Sequence, residues 1–212
     1  MKAIIFDMDG VITNTMPYHF RAWHSILRRA GVDVSRYDIY KREGQDGLTS
    51  VKEILEERGI KKPMDEQKTI LAKKEALFKR IVKPRFVKGA REFIRLLRKK
   101  GVPLALVTGT SRHEMRRILP KELRDAFAFT ITGDEVKKGK PHPEPFLKAL
   151  KALRTKDAIV LENAPFGIES AKRAGLFCVA LTTSLPRRYL SRADAVYSSY
   201  KGLKRSGMFP LT

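Results

Sequence analysis

Two aspartates one residue apart, Asp7 and Asp9, close the first apolar stretch of the chain, and Gly10 follows at once. Residues 3–6, Ala-Ile-Ile-Phe, read as a short buried strand. A carboxylate at the tip of a strand can attack an electrophile or bind a metal. The next but one, already in the turn, can handle protons. Gly10 permits a sharp turn there. Asp-Gly is also a common turn pair, so this cluster does not decide the matter alone. Three more polar clusters follow apolar segments. Thr108-Gly109-Thr110 ends the run 102–107. A hydroxyl and a free backbone N–H in a loop leading into a helix can hold phosphoryl oxygens; a plain helix cap is the other reading. Gly139-Lys140-Pro141 sets a lysine in a stiff loop, where it can neutralise a phosphoryl oxygen or a carboxylate, or stand on the surface. Glu162-Asn163 ends the run 158–161 and offers oxygen ligands for a hard cation such as Mg²⁺ together with Asp7, or else Asn163 caps a helix.

The segments between these clusters must bring them together. Apolar runs at 3–6, 102–107, 127–132, 158–161, 177–181 and 195–197 read as strands. Helical spacing appears at 89–100, around 115–119, at 143–153 and at 165–174. Apolar strands alternating with helices predict an α/β fold, a Rossmann-like doubly wound parallel sheet covered on both faces. Ligands of such sheets bind at the carboxyl ends of the strands, where all four polar clusters fall. The stretch between the first two strands differs. Thr15 can cap a helix with Pro17 in its first turn, Phe20, Trp23 and Leu27 on its apolar face, and Gly31 at its end. Helices at 50–58 and 65–82 follow, the latter with Leu71, Leu77, Phe78 and Ile81 at helical spacing. The expected division is a catalytic core of residues 1–14 and 85–212 with a helical cap, residues 15–84, inserted after the first strand.

Composition narrows the class. Of 212 residues, 42 % are hydrophobic and 32 % charged, which fits a soluble globular protein and excludes disorder. The longest apolar runs are too short for a membrane span or a signal-peptide core. A single cysteine, Cys178, rules out an intramolecular disulfide and fits a reducing, cytoplasmic setting. The net charge of +21 can attract anions, phosphometabolites or nucleic acid. The basic residues are spread along the whole chain and no nucleic-acid motif accompanies them, so a solvated basic surface is the simpler reading and nucleic acid is disfavoured as a partner. That charge also points to a monomer or a weak homo-oligomer.

Taken together, the four clusters resemble the motifs of the haloacid dehalogenase superfamily, in its branch with a helical cap after the first strand. Asp7 to Val11 matches D-x-D-G-[VT], Thr108 the hydroxyl after an apolar strand, and Lys140 the lysine of G-K-P-x-P. Glu162-Asn163 with the helix Gly167 to Gly175 matches the acidic pair. Gly10-Val11-Ile12-Thr13 and Tyr18-His19-Phe20-Arg21-Ala22-Trp23 look like the group of β-phosphoglucomutases and related sugar-phosphate phosphatases. The resemblance implies that Asp7 attacks phosphorus, that Asp9 acts as acid and then base, and that Thr108, Gly109, Thr110 and Lys140 balance phosphoryl charge. It implies Mg²⁺ held by Asp7, Asp9 through its backbone carbonyl, Glu162 and Asn163. His19 either assists Asp9 or is a partly buried helix histidine.

Two departures matter. Asn163 stands where the group commonly has Asp; an amide oxygen ligates but brings no charge, which predicts an intact metal site, if anything weaker, with Glu162 carrying more of the load. In the loop 43–47 the mutases carry basic residues for a second phosphate, and this chain has Glu43 and Gly47. That favours water as acceptor and a small phosphorylated metabolite with one phosphate. Glu43 and Gln45 are candidates for substrate hydroxyl contacts, or else an exposed linker. A retained Asp9 argues against dehalogenase chemistry. A sugar-phosphate mutase and a non-enzymatic phosphometabolite-binding protein remain the alternatives.

Overall fold

The computed structural model describes residues 2–83 and 85–209. Six strands form one sheet: β1 (Ala3–Phe6), β2 (Leu104–Val107), β3 (Phe129–Ile131), β4 (Ala158–Glu162), β5 (Phe177–Leu181) and β6 (Ala195–Tyr197). Their order is β3-β2-β1-β4-β5-β6 and every pairing is parallel. All residues of β1, β2 and β4 are buried, as a parallel sheet covered on both faces requires. Alternate side chains feed two cores. Ile4, Phe6, Leu104, Leu106 and Leu161 meet one set of helices, and Ile5, Ala105, Val107 and Val160 meet the other. Edge strand β3 is only three residues long and partly exposed, shorter than the apolar run 127–132 suggests, because it has a neighbour on one side alone.

The core helices are α5 (Ala90–Lys99), α6 (Arg112–Ile118), α7 (Lys121–Arg124), α8 (Glu144–Leu153), α9 (Pro165–Arg173) and α10 (Tyr200–Arg205). In α5, Ala90, Phe93, Ile94 and Leu97 recur at helical spacing and are buried, while Arg95, Arg98 and Lys99 face water. Burying Phe93 alone contributes roughly 2–3 kcal/mol. Four helices lie between β1 and α5: α1 (Met16–Arg29), α2 (Arg36–Tyr40), α3 (Gly47–Glu57) and α4 (Met64–Ile81). The chain leaves for them and returns side by side. Asn14 N–H donates to Arg85 O at 2.7 Å and Val87 N–H to Ile12 O at 2.9 Å.

Local chemistry accounts for the shifted boundaries. Helix α3 starts at Gly47, three residues before the expected 50, because the Asp46 carboxylate accepts the Thr49 N–H at 2.7 Å. Helix α6 starts at Arg112 because Ser111 accepts from Glu114 N–H. Short α2 is opened by a Ser35–Asp38 capping box. Thr15 opens α1 without capping it, since its hydroxyl is engaged elsewhere. Among the described residues no helix is long and apolar enough to cross a membrane.

Candidate active site

Asp7 follows β1 directly, Thr108 follows β2, and Glu162 ends β4 with Asn163 next. These are the three central strands, so their carboxyl ends place the residues in one row across the point where strand order reverses. Lys140 comes from the loop before α8, and its ammonium sits 2.7 Å from both Asp7 Oδ1 and Glu162 Oε1. All three are buried. Gly167 on α9 makes room for Glu162: a Cβ there would stand 2.0 Å from Glu162 Oε1. The second Glu162 oxygen accepts the backbone N–H groups of Asn163 at 2.9 Å and Ala164 at 3.4 Å. Glu162 therefore spends both oxygens on fixing Lys140 and its own loop. Any metal-ligating share for Glu162 would have to use the lone pair these bonds leave over.

At these strand ends two buried oxygens are left without a hydrogen-bond partner, Asp7 Oδ2 and Asn163 Oδ1. Unpaired buried acceptors are costly, and an adjacent pair on neighbouring strand ends fits a hard cation. Asn163 does not cap α9, whose N-cap is Ala164. Its Nδ2 donates to Ser184 Oγ at 2.8 Å, which leaves Oδ1 without a partner. Gly10 packs against that amide at φ +93°, and a Cβ there would meet Asn163 Nδ2 at 2.1 Å. Among the described residues no cluster of three or more His, Cys, Asp or Glu side chains has metal-holding geometry.

Asp9 turns its carboxylate away from that pair. Oδ1 accepts from the Thr15 hydroxyl, and Oδ2 from Thr110 at 2.9 Å and Thr108 at 3.4 Å. Burial alone would raise this carboxyl, but contacts from His19, Thr15 and Thr110 outweigh it and hold Asp9 below the ordinary range. His19 Nε2 lies 3.6 Å from Oδ1, beyond a good hydrogen bond, so the threonines carry more of the effect. Burial and the Lys74 cation push His19 itself down, so the imidazole is neutral at pH 7. Its ring stacks on Phe78 at 4.0 Å, and Nδ1 is 3.4 Å from Lys74 Nζ. Asp7 moves the other way. Burial pushes it up to about 8, Lys140 opposes this, and Glu162 and Asp9 add to it. The Lys140 ammonium stays charged: burial would lower it, but Asp7 and Glu162 raise it above the ordinary lysine value.

The loop 43–47 lies over this row. Gly44, at φ +78°, would put a Cβ 2.4 Å from Lys140 Cδ, and Gly109 would put one 2.6 Å from Gly44 Cα. Backbone meets backbone there, so Gly109 is a seat for the loop. Glu43 is buried, against the alternative of an exposed linker. Gln45 gives its amide to Glu53 at 3.0 Å and accepts from Ser50 at 2.8 Å, and it lines the space beneath the loop. Between loop and core lies a cavity of about 370 Å³ lined by His19, Glu43, Lys74 and Thr110 among others.

Residues 1–175 match the family model of the haloacid dehalogenase-like hydrolases. The chain belongs to that family. As a haloacid dehalogenase-like hydrolase it is a phosphoric monoester hydrolase. It is 33 % identical over 184 residues to a phosphorylated carbohydrates phosphatase of Thermotoga maritima, covering 83 % of this chain and 82 % of the relative. It is 33 % identical over 213 residues to the validoxylamine A 7'-phosphate phosphatase of Streptomyces hygroscopicus, covering 92 % of each. The structure of β-phosphoglucomutase from Clostridium difficile superposes with a TM-score of 0.82 at 25 % identity, over 97 % of this chain and 94 % of that one.

Sequence reasoning missed four residues of this hydrolase site. Thr15 looks like a helix cap, and only the fold turns it onto Asp9. Ser184 follows β5, remote in sequence from the amide it orients. Gly167 lies within a matched motif but had no physical role there. Lys74 was hidden in a lysine-rich helix, although its four-residue spacing from buried Ile70 and Phe78 placed it on the inner face.

Proposed function

We propose that this protein hydrolyses the phosphomonoester of a small sugar or polyol through an aspartyl-phosphate. The observation that carries the reading is the division of labour between two buried aspartates. Asp7 is gripped through one oxygen by Lys140 and keeps the other free, while three hydroxyls hold Asp9 apart from it. Asp7 attacks phosphorus, the P–O bond to the leaving group breaks, and Asp9 gives that oxygen a proton. A phosphate dianion entering beside Asp9 raises its proton affinity, which offsets the hydroxyl contacts that hold it ionised in the free site. Asp9 then takes a proton from water as the acyl phosphate is hydrolysed, and free phosphate leaves. Lys140 stays as the fixed positive charge beside the nucleophile.

Asp7 Oδ2 and Asn163 Oδ1, with the Asp9 backbone carbonyl, would hold Mg²⁺. When bound, the ion supplies positive charge against the phosphoryl oxygens and fixes their orientation. Residues 1–14 and 85–212 form the catalytic core, and 15–84 the cap that closes over it; the paired connections at 12–14 and 85–87 support that division. The names of the two phosphatase relatives support a phosphorylated carbohydrate or related polyol as substrate. The test is phosphate release from a phosphomonoester panel with and without Mg²⁺, using Asp7→Asn as the blank. Release that is equal in wild type and Asp7→Asn rejects the reading. Interconversion of sugar phosphates without release would favour a mutase instead.

A further inference from the structure

The helices between β1 and α5 touch the core at the first turn of α9, just past Asn163. The N–H groups at a helix start need acceptors, and Ala164, the N-cap, has no polar side chain to offer one. Glu162 Oε2 takes the N–H groups of Asn163 and Ala164, and Pro165 has none. The next donor, Phe166 N–H, goes to the Lys41 carbonyl at 3.1 Å, an acceptor supplied from the end of α2. The turn that carries Asn163 is therefore completed by the helical region and not by the core.

A second contact comes from the same side of α2. Tyr37, one helical turn before Lys41, stacks on Tyr189 in the loop after β5, with ring centres 4.4 Å apart and planes inclined by 31°. Tyr37 is 36 % exposed and α2 is only five residues long, so this ring is not filling a core. Cations flank the pair: Lys41 Nζ is 5.8 Å from the Tyr37 ring centre, and the Arg188 guanidinium 4.7 Å from that of Tyr189. The Arg42 guanidinium lies 6.0 Å from the Phe166 ring, fixed by Glu57 and by the Asp38 carbonyl at 2.8 Å. From Arg42 the chain runs directly into the loop 43–47, whose Gly44 sits against Lys140 and Gly109.

We propose that the Tyr37–Tyr189 stack, with the Lys41 carbonyl on the Phe166 N–H, is a latch that holds the cap shut on the core before substrate binds and positions the loop 43–47 over Lys140. Only the connections at 12–14 and 85–87 join cap to core covalently, so the balance between open and closed is set by contacts such as these. Opening must unstack the two rings and leave the Phe166 N–H to water. The latch rests on the division into cap and core within the proposed function, and not on the reaction itself.

Trp23, the only tryptophan of the chain, tests it. It is 6 % exposed and lines the cavity between loop and core, so quenching of its fluorescence by acrylamide reads cap opening without substrate. A stacked aromatic pair shifts such a balance by about two- to tenfold. Tyr37→Ala and Tyr189→Ala are each expected to raise the quenching constant of the free protein by about twofold or more. The double variant is expected to go no further than the single ones, because either change breaks the same stack. Tyr37→Phe keeps the ring and is expected to quench like wild type. Quenching unchanged in both single variants, or increases that add in the double variant, overturns the latch. Asp7-dependent phosphate release stands or falls separately, since no substrate enters the quenching experiment.

Discussion

Replacing Lys140 by Met tests the central wiring of the site. The side chain is 1 % exposed and touches two buried carboxylates at 2.7 Å each. Removing one partner from a buried ion pair costs about 3–5 kcal/mol, because the remaining charges lose their compensation. For a protein of this size about 2–4 °C of melting temperature follows each kcal/mol, so the expected drop is roughly 6–20 °C at pH 8. The loss has a defined pH dependence. Asp7 already stands at about 8 with Lys140 present, and without it the shift grows in the same direction. A carboxyl raised in the folded state binds a proton on folding, so stability declines as pH climbs from its unfolded value to its folded one. Both folded forms hold that proton well below pH 8, so the deficit of Lys140→Met is nearly flat from pH 5 to 7 and grows as pH passes about 8. Activity falls further than stability, by about 10²-fold or more in kcat, since the ionised nucleophile becomes rarer still and has no fixed cation beside it. Calorimetry from pH 5 to 8, with phosphate release at each pH, measures both. A variant that melts within about 2 °C of wild type at pH 8, against the several degrees expected, and keeps its kcat would refute the assignment of Lys140 as the charge joining Asp7 to Glu162.

Three other outcomes are expected. Ser184→Ala removes the 2.8 Å partner of Asn163 Nδ2 and should weaken Mg²⁺ binding by about tenfold in titration calorimetry, the lower end for loss of a group that orients a ligand; unchanged affinity would mean that the amide is fixed some other way. Gly10→Ala forces a Cβ to within 2.1 Å of the same amide at a φ of +93°, so urea denaturation should show a loss of about 1–3 kcal/mol. Burial pushes the Cys178 thiol well above its ordinary value, so the native protein should not react with a thiol reagent at pH 8, whereas the urea-unfolded chain should.

The parallel sheet was legible because its strands are short apolar runs, each closed by a polar residue, and the strand ends that hold Asp7, Thr108 and Glu162 are where such sheets present chemistry. What stayed hidden depended on distance in the chain or on helical phase. The three hydroxyls on Asp9 come from Thr15, Thr108 and Thr110, and the sequence suggested phosphoryl contacts for two of them and a helix cap for the third. Gln45 and Glu43 looked equivalent in one polar loop and both line the cavity, yet Gln45 is also tied back to Glu53. Close contacts between glycine backbones, such as Gly44 on Gly109, leave no compositional trace beyond the glycines themselves.

The charge of the buried site gives Asn163 a physical rationale. Asp7, Asp9 and Glu162 set three carboxylates against the single ammonium of Lys140, leaving two net negative charges when all are ionised. A divalent cation at Asp7 Oδ2 and Asn163 Oδ1 brings that sum to zero before a phosphate dianion arrives. An aspartate at position 163 would bind the ion more tightly but would leave one negative charge uncancelled where the substrate must approach. Coulomb repulsion grows as the dielectric falls, so this extra charge acts most strongly in a pocket closed by the loop 43–47. On the proposed metal site, Asn163 would trade metal affinity for a smaller negative charge toward the substrate.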